Sequence, residues 1–274
     1  MIIDNFLFCN EYDILELRLE IMGDYVDKFV IIEADTTFTG NKKDYNLEKE
    51  FHRFKKWEDK IQYFKVKNTN IRDSWSNEDW QRDQFSLGWD NVGNDDVLLI
   101  NDVDEIVRPE TLEFIKNTDY NYYSLMMPSS YYKFNYIDTA SHYSPWGKAF
   151  RGYKSRGSQM KNFNGTVNKS ITLHHAGWHF SWIGNEDFVR YKSVSFSHTE
   201  LNNEHILNNV NLEKHISEGK DHWRNNSNWK AVNLDEYFPE HILKNKERYQ
   251  YYILNDSGIK VQDVYPYKIL EEKK

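Results

Sequence analysis

The sequence predicts an α/β chain organised on a mostly parallel central sheet, and three observations carry that prediction. Two short runs, residues 29–32 and 97–100, are apolar throughout and read as strands buried on both faces. Segments with helical spacing or helical charge patterning separate them, so strands and helices alternate through the first hundred residues. The carboxyl end of the second run turns abruptly acidic, Asn101-Asp102-Val103-Asp104-Glu105, at the position where open α/β sheets bind ligands.

The first strand is the apolar run of residues 1–8, ended by Asn10-Glu11. Ile14, Leu15, Leu17, Leu19, Ile21 and Met22 then recur at helical spacing with charges between them. The strand at 29–32 ends in Glu33-Ala34-Asp35 and a polar loop closed by Gly40. Residues 47–57 predict a charged surface helix and residues 61–66 a third strand. A helix over 75–89, carrying Glu78, Gln81, Arg82 and Asp83, runs up to the acidic strand, and another opens at Pro109.

After Ile115 the rhythm changes. Residues 122–134 are dense in Tyr and Met, 145–156 mix Gly, Trp and basic residues, and 172–182 read Thr-Leu-His-His-Ala-Gly-Trp-His-Phe-Ser-Trp. From Asn202 the chain is polar and predicted helical, with a last helix over 235–255. No repeat or low-complexity linker interrupts it. One domain is therefore expected over residues 1–274: an α/β half at 1–115, then a β-rich half with C-terminal helices at 116–274.

Composition narrows the function. At 274 residues the chain can bury a substantial core, and 39% hydrophobic with 28% charged residues is an ordinary globular mixture. The excess lies in aromatics, 9 Trp, 19 Tyr and 16 Phe, which also stack on the apolar faces of sugars. A net charge of −8, with no basic block longer than Lys42-Lys43 or Lys55-Lys56, argues against a nucleic-acid partner. Cys9 is the single cysteine, so no intrachain disulfide or thiolate metal cluster is available. No apolar run is long enough to span a membrane, and the opening Met1-Ile2-Ile3-Asp4 lacks the marks of a signal peptide. A cytoplasmic location is the expectation.

The acidic turn carries the chemistry. Asp102 and Asp104 flank one residue, so a turn can aim both carboxylates at one point. Hard oxygen ligands suit Mg²⁺ or Mn²⁺, ions that keep room for substrate phosphates, and such a site would grip a nucleotide diphosphate. The same acids would equally serve a turn that caps the helix at Pro109.

Four blocks, taken in order, resemble glycosyltransferase family 17: residues 8–19 (Phe-Cys-Asn-Glu-Tyr-Asp-Ile-Leu-Glu-Leu-Arg-Leu), residues 29–40 (Phe-Val-Ile-Ile-Glu-Ala-Asp-Thr-Thr-Phe-Thr-Gly), Asp95-Asp96 through Asp102-Val103-Asp104-Glu105-Ile106, and Ala176-Gly177-Trp178-His179-Phe180-Ser181-Trp182. A weaker echo follows at Tyr237-Phe238-Pro239 and Leu243-Lys244-Asn245. The resemblance implies a GT-A fold with a Rossmann-like nucleotide-sugar-binding half and an acceptor-binding half. It also implies inversion at the anomeric carbon, Mn²⁺ or Mg²⁺, and a UDP-sugar donor, UDP-N-acetylglucosamine in the characterised member, with a glycan as acceptor. Against that member, no membrane anchor or stem is expected here, and Val107-Arg108-Pro109 follows the acidic motif.

On that resemblance Asp104 is the expected direct metal ligand, with Asp102 on the metal, its water or the ribose, and Glu105 supporting them or acidifying a helix start. Arg82 would reach the donor phosphates or hold the acidic motif. Asn10, Glu11, Glu33 and Asp35, at neighbouring strand ends, would hold uracil and ribose. His179 and His198 are candidates for a third metal ligand, or structural hydrogen-bonding groups. Trp178 and Trp182 would stack on donor or acceptor sugar, or serve as core. Glu186 and Asp187 resemble the Glu-Asp element that supplies the catalytic base in inverting enzymes of this fold, though both also suit a helix N-terminus. Two other classes fit paired carboxylates: a glycoside or phosphoester hydrolase, and a catalytically dead carbohydrate-binding protein.

Overall fold

The computed structural model describes residues 1–139, 144–165, 167–223, 228–265 and 271–273. Its frame begins with β1 (Ile2–Leu7), β2 (Lys28–Ala34), β3 (Ile61–Val66) and β4 (Val97–Ile100), which lie parallel in the order β3-β2-β1-β4. Their side chains alternate between two apolar clusters. Ile2, Phe6, Phe29, Ile31, Val97 and Leu99 enter one, while Ile3, Leu7, Val30, Ile32, Leu98 and Ile100 enter the other. A strand covered on both faces needs no polar alternation, which is why residues 29–32 of β2 and 97–100 of β4 read as unbroken apolar runs.

The remaining strands, in chain order, are β5 (Glu105–Val107), β6 (Tyr122–Leu125), β7 (Ser129–Tyr131), β8 (Tyr136–Asp138), β9 (Gly147–Arg151), β10 (Ser170–His174), β11 (Gly177–Ser181), β12 (Trp229–Ala231) and β13 (Glu271–Lys273). Beyond β4 the first sheet continues through β9, β6, β10 and β13, with β9 antiparallel to both its neighbours and β6 parallel to β10. A second sheet runs β12-β8-β7-β11-β5. Strands from both expected halves share both sheets, so residues 115 and 116 mark no structural seam. The part after 116 is β-rich, as expected.

Helix α1 (Tyr12–Met22) packs Ile14, Leu15, Leu17 and Leu19 onto the first cluster. The expected helix at 47–57 divides into α2 (Asn46–Glu50) and a 3₁₀ segment, Phe51–Lys60. Likewise α3 (Ser74–Asp83) gives way to a 3₁₀ turn before β4. Four more helices bear on the site or on its surroundings: α4 (Pro109–Asn117), α5 (Gly157–Lys161), α6 (Glu186–Ser195) and α7 (Glu204–Asn208). A long last helix over 235–255 does not form. Asp235 accepts from the Tyr237 N–H at 3.1 Å in a local turn, and Pro239 then caps a helix only as long as Glu240–Lys244. Among the described residues no helix is long and apolar enough to cross a membrane.

Topology fixes where a ligand belongs. The chain steps outward from β1 to β2 and β3, then returns to place β4 on the other side of β1. A crevice forms at the carboxyl ends of two strands whose connections diverge in this way. Here those ends are residues 8–11 after β1 and 101–104 after β4.

Candidate active site

A cleft opens at that switch point and is walled on the far side by the second sheet. Asn10, Glu11, Arg82, Asp102, Asp104, His179, Trp182, Lys192 and His198 all line it. Of the sequence-predicted residues, the structure therefore gathers eight in one place, together with Asp138, Trp146, Trp223 and Trp229 from the β-rich part.

The acidic turn is gripped from beneath by an ion pair. Asp4 on β1 and Arg18 on α1 are both fully buried and meet through two hydrogen bonds of 2.6 and 2.7 Å. The same guanidinium donates to the backbone carbonyls of Asp102, Val103 and Glu105 at 2.9, 3.1 and 2.8 Å. Nothing else in the apolar stripe of α1 would justify a buried Arg, and it holds the turn that presents both aspartates. The signal was in the sequence: a charge within a run of core positions.

Asp102 and Asp104 have different surroundings. Asp102 accepts from Arg82 at 2.6 Å and lies 3.3 Å from Lys161 on α5. Burial alone would raise its pKa, but Arg82 and Lys161 outweigh it and hold the carboxyl far below the usual range. Arg82 is anchored in turn by Glu78, whose other oxygen accepts from Ser197. Arg82 thus holds the acidic motif in place, one of its two expected roles. Glu105 points inward: its carboxylate accepts from the Asp102 N–H at 2.7 Å and pairs with Lys161. Burial pushes its pKa up to about 8, against the pull of Lys161.

Asp104 meets Lys192 of α6 at 3.0 Å on one oxygen and faces His179 Nε2 at 3.6 Å on the other. Strand pairing delivers the histidine. Antiparallel β5 and β11 set His179 opposite Glu105, and the Phe180 N–H donates to the Asp104 carbonyl at 2.8 Å. Gly177 permits the approach, because a Cβ there would stand 2.2 Å from the Ile106 carbonyl oxygen. His179 Nδ1 lies 3.0 Å from Ser129 Oγ, which fixes the ring. Burial lowers the His179 pKa to about 4 despite Asp104 and Asp102, so the imidazole is neutral at pH 7 with Nε2 turned toward the carboxylate. His198 stands elsewhere on the rim, its Nδ1 2.5 Å from Glu200 and its ring edge-on to Trp75.

Five expected site residues lie outside the cleft. The Glu33 carboxylate is fully buried and accepts from the backbone N–H groups of Asn46 and Leu47, from Lys43 and from the Tyr63 hydroxyl. It caps α2, which leaves nothing for a nucleotide. Asp35 accepts from the Asn68 N–H at 2.8 Å. Trp178 is core: its ring is covered by the Arg108 guanidinium at 4.2 Å, and its Nε1 donates to the Tyr237 carbonyl at 2.6 Å. Glu186 and Asp187 occupy the first turn of α6 behind the Asn185 cap and line a separate groove with Lys133 and Leu212. Lys192 lies six residues further along α6, which is about 9 Å of helix. Glu186 accepts from the Leu212 N–H at 3.1 Å. Both carboxylates thus lie in a groove apart from the cleft that holds Asp104.

Several residues of the site were missed from sequence, among them Arg18, Asp138, Lys161 and Lys192. The two lysines belong to segments that read as solvated surface, and only the folded chain turns them inward.

The model of the family described as glycosyltransferase family 17 matches residues 1–257. The beta-1,4-mannosyl-glycoprotein 4-beta-N-acetylglucosaminyltransferases of Homo sapiens and Rattus norvegicus are each 25% identical to this chain over 219 residues, covering 68% of it. The chain spans 41% of the length of these relatives. A crystal structure of GalNAc-T7 with UDP, GalNAc and Mn²⁺ is similar at a TM-score of 0.30 and 14% identity, over 47% of this chain and 23% of that one. With nearly its whole length matched by one family model, and with the acidic turn, the Gly-Trp-His strand and the β1 and β2 ends in the order first read from its sequence, this chain belongs to glycosyltransferase family 17.

Proposed function

We propose that the chain transfers N-acetylglucosamine from UDP-N-acetylglucosamine to a hydroxyl of a glycan acceptor, with inversion, in a GT-A arrangement that uses Mn²⁺ or Mg²⁺. The observation that carries this reading is the cleft at the β1/β4 switch point, with Asp104 and His179 facing each other on its floor. Membership of the family and the N-acetylglucosaminyltransferase activity for which its relatives are named support the choice of sugar and acceptor class.

The residues fit a divalent cation. Asp104 offers an oxygen and His179 a neutral nitrogen whose partner nitrogen is held by Ser129, the arrangement that orients metal-binding histidines. Among the described residues no group of three such ligands is assembled, so donor oxygens and water would complete the shell, as is usual for these ions. When bound, the ion neutralises charge on the departing diphosphate. Arg82 and Lys161 keep Asp102 ionised and fixed, available to the ribose or to metal-bound water. Asn10 and Glu11 after β1 would meet the nucleoside, and Trp182 with Trp223 and Trp229 offers stacking faces to sugar. For the base we assign Asp138, the carboxylate that β8 contributes to the acceptor wall, in place of Glu186 and Asp187. The location proposed from the single Cys9 remains a reducing cytoplasm, which fractionation would test.

The test is product analysis with a panel of UDP-, GDP- and dTDP-sugars and mannose-bearing glycan acceptors. The reading predicts UDP release that depends on acceptor, with a product of inverted anomeric configuration. Free N-acetylglucosamine formed at the same rate without acceptor would favour a hydrolase, and no turnover with any nucleotide sugar would favour a binding protein.

A further inference from the structure

The cations around the acidic turn are not equivalent. Arg82 is shared between Asp102 and Glu78, and Lys161 is shared among Asp102, Glu105 and the Trp146 carbonyl. Each is tied to several partners, so neither can leave cheaply. Lys192 differs. Among the described residues its ammonium makes one hydrogen bond, to Asp104 at 3.0 Å, and its stem runs past the rings of Trp182 and Phe188, 5.4 and 6.0 Å from the ammonium. It reaches the cleft from α6.

A lysine and a divalent cation cannot share one carboxylate at contact distance without strong repulsion. If Asp104 binds a metal on the oxygen that faces His179, repulsion weakens the hold of its other oxygen on Lys192, whose flexible four-carbon stem lets it move within the cleft. We infer that Lys192 is an exchangeable counter-ion: it neutralises Asp104 in the donor-free protein, then passes to the donor diphosphate when a divalent cation takes its place. This rests on the metal and nucleotide reading given above. It adds that metal and nucleotide bind as a coupled pair, each favouring release of the lysine that obstructs the other, with reciprocal effects on affinity. A metal alone has to displace an ion pair; nucleotide with metal gives the lysine a new anion.

Mn²⁺ binding to the full chain, followed by paramagnetic resonance of the free ion with and without UDP, tests this without any turnover. In the wild type, Mn²⁺ affinity should be weak alone and rise when UDP is added. Lys192→Gln should bind Mn²⁺ alone at least tenfold more tightly than the wild type, and UDP should then improve binding by a smaller factor. Lys192→Arg, which keeps the charge, should stay close to the wild type. Lys192→Met preserves the packing against Trp182 and Phe188, should Gln fail to fold, and carries the same expectation. Equal or weaker Mn²⁺ binding by the neutral variants, in a wild type that does bind Mn²⁺ with UDP, overturns the exchange alone. A wild type that binds UDP but no Mn²⁺ overturns the metal reading and the exchange together.

Discussion

Replacing Arg18 by Met tests how the acidic turn is built. The guanidinium and the Asp4 carboxylate are both fully buried, joined by hydrogen bonds of 2.6 and 2.7 Å. Removing one partner of such a pair leaves a stranded charge and typically costs about 3–5 kcal/mol. At roughly 2–4 °C per kcal/mol for a chain of this size class, the melting temperature should fall by about 6–20 °C. The turn suffers separately, because three carbonyls at Asp102, Val103 and Glu105 lose their donor. Asp4→Leu with Arg18→Met removes the stranded charge, so much of the stability should return while the turn stays unsupported. Thermal unfolding at pH 7 and calorimetric UDP binding, measured on both variants, separate the two effects. The double variant should melt well above the single one yet bind UDP poorly. An Arg18→Met protein that melts within about 2 °C of the parent, a loss under ~1 kcal/mol, would refute the assignment of Arg18 as the anchor.

Three further outcomes follow from the same geometry. Alanine at Glu186 or Asp187 should cost only the helix-terminus interaction, about 0.3–1 kcal/mol, and leave turnover near the parental rate, whereas Asp138→Asn should lose turnover and keep UDP affinity. Gly177→Ala would drive a methyl into the Ile106 carbonyl, so it should destabilise by about 1–3 kcal/mol and displace His179, seen as altered imidazole resonances. Burial holds His222 at a pKa of about 3 and His175 well below its ordinary value, so both stay neutral when folded but protonate in the unfolded chain near pH 6.5. For His222 the unfolded state then binds more protons between about pH 3 and 6.5, so stability should fall as pH drops through that window by up to about 1.4 kcal/mol per pH unit, and His175 acts in the same direction. A His222→Phe variant whose stability falls as steeply as the parent's between about pH 6 and 4 would contradict it.

What the sequence made legible was whatever depends on a repeating pattern. The runs at 29–32 and 97–100 are strands with alternate residues in two clusters, and the acidic turn does end β4 in the cleft. What it hid depends on pairings between distant segments. His179 reaches Asp104 only because β11 pairs with β5, a register no local pattern encodes. Lys192 and Lys161 lie on helices whose polar spacing looks solvated, and Glu33, equally acidic and equally at a strand end, turns to cap α2 instead. The long helix expected over 235–255 failed for a local reason that was visible, the Asp235 turn and Pro239 within it. Glu186 and Asp187 resembled a catalytic pair by order along the chain, but α6 directs its other end into the cleft.

Calorimetry of UDP with Mn²⁺ asks whether Asp104 ties a divalent cation to a uridine diphosphate in this cleft, as we propose. Asp104→Asn keeps the shape of the side chain and removes the anion, so the variant should remain folded. The account predicts that its UDP affinity in the presence of Mn²⁺ falls about tenfold or more, at least 1.4 kcal/mol, and that adding or chelating Mn²⁺ no longer changes it. A variant that binds UDP as tightly as the parent, and still responds to Mn²⁺, would contradict the account.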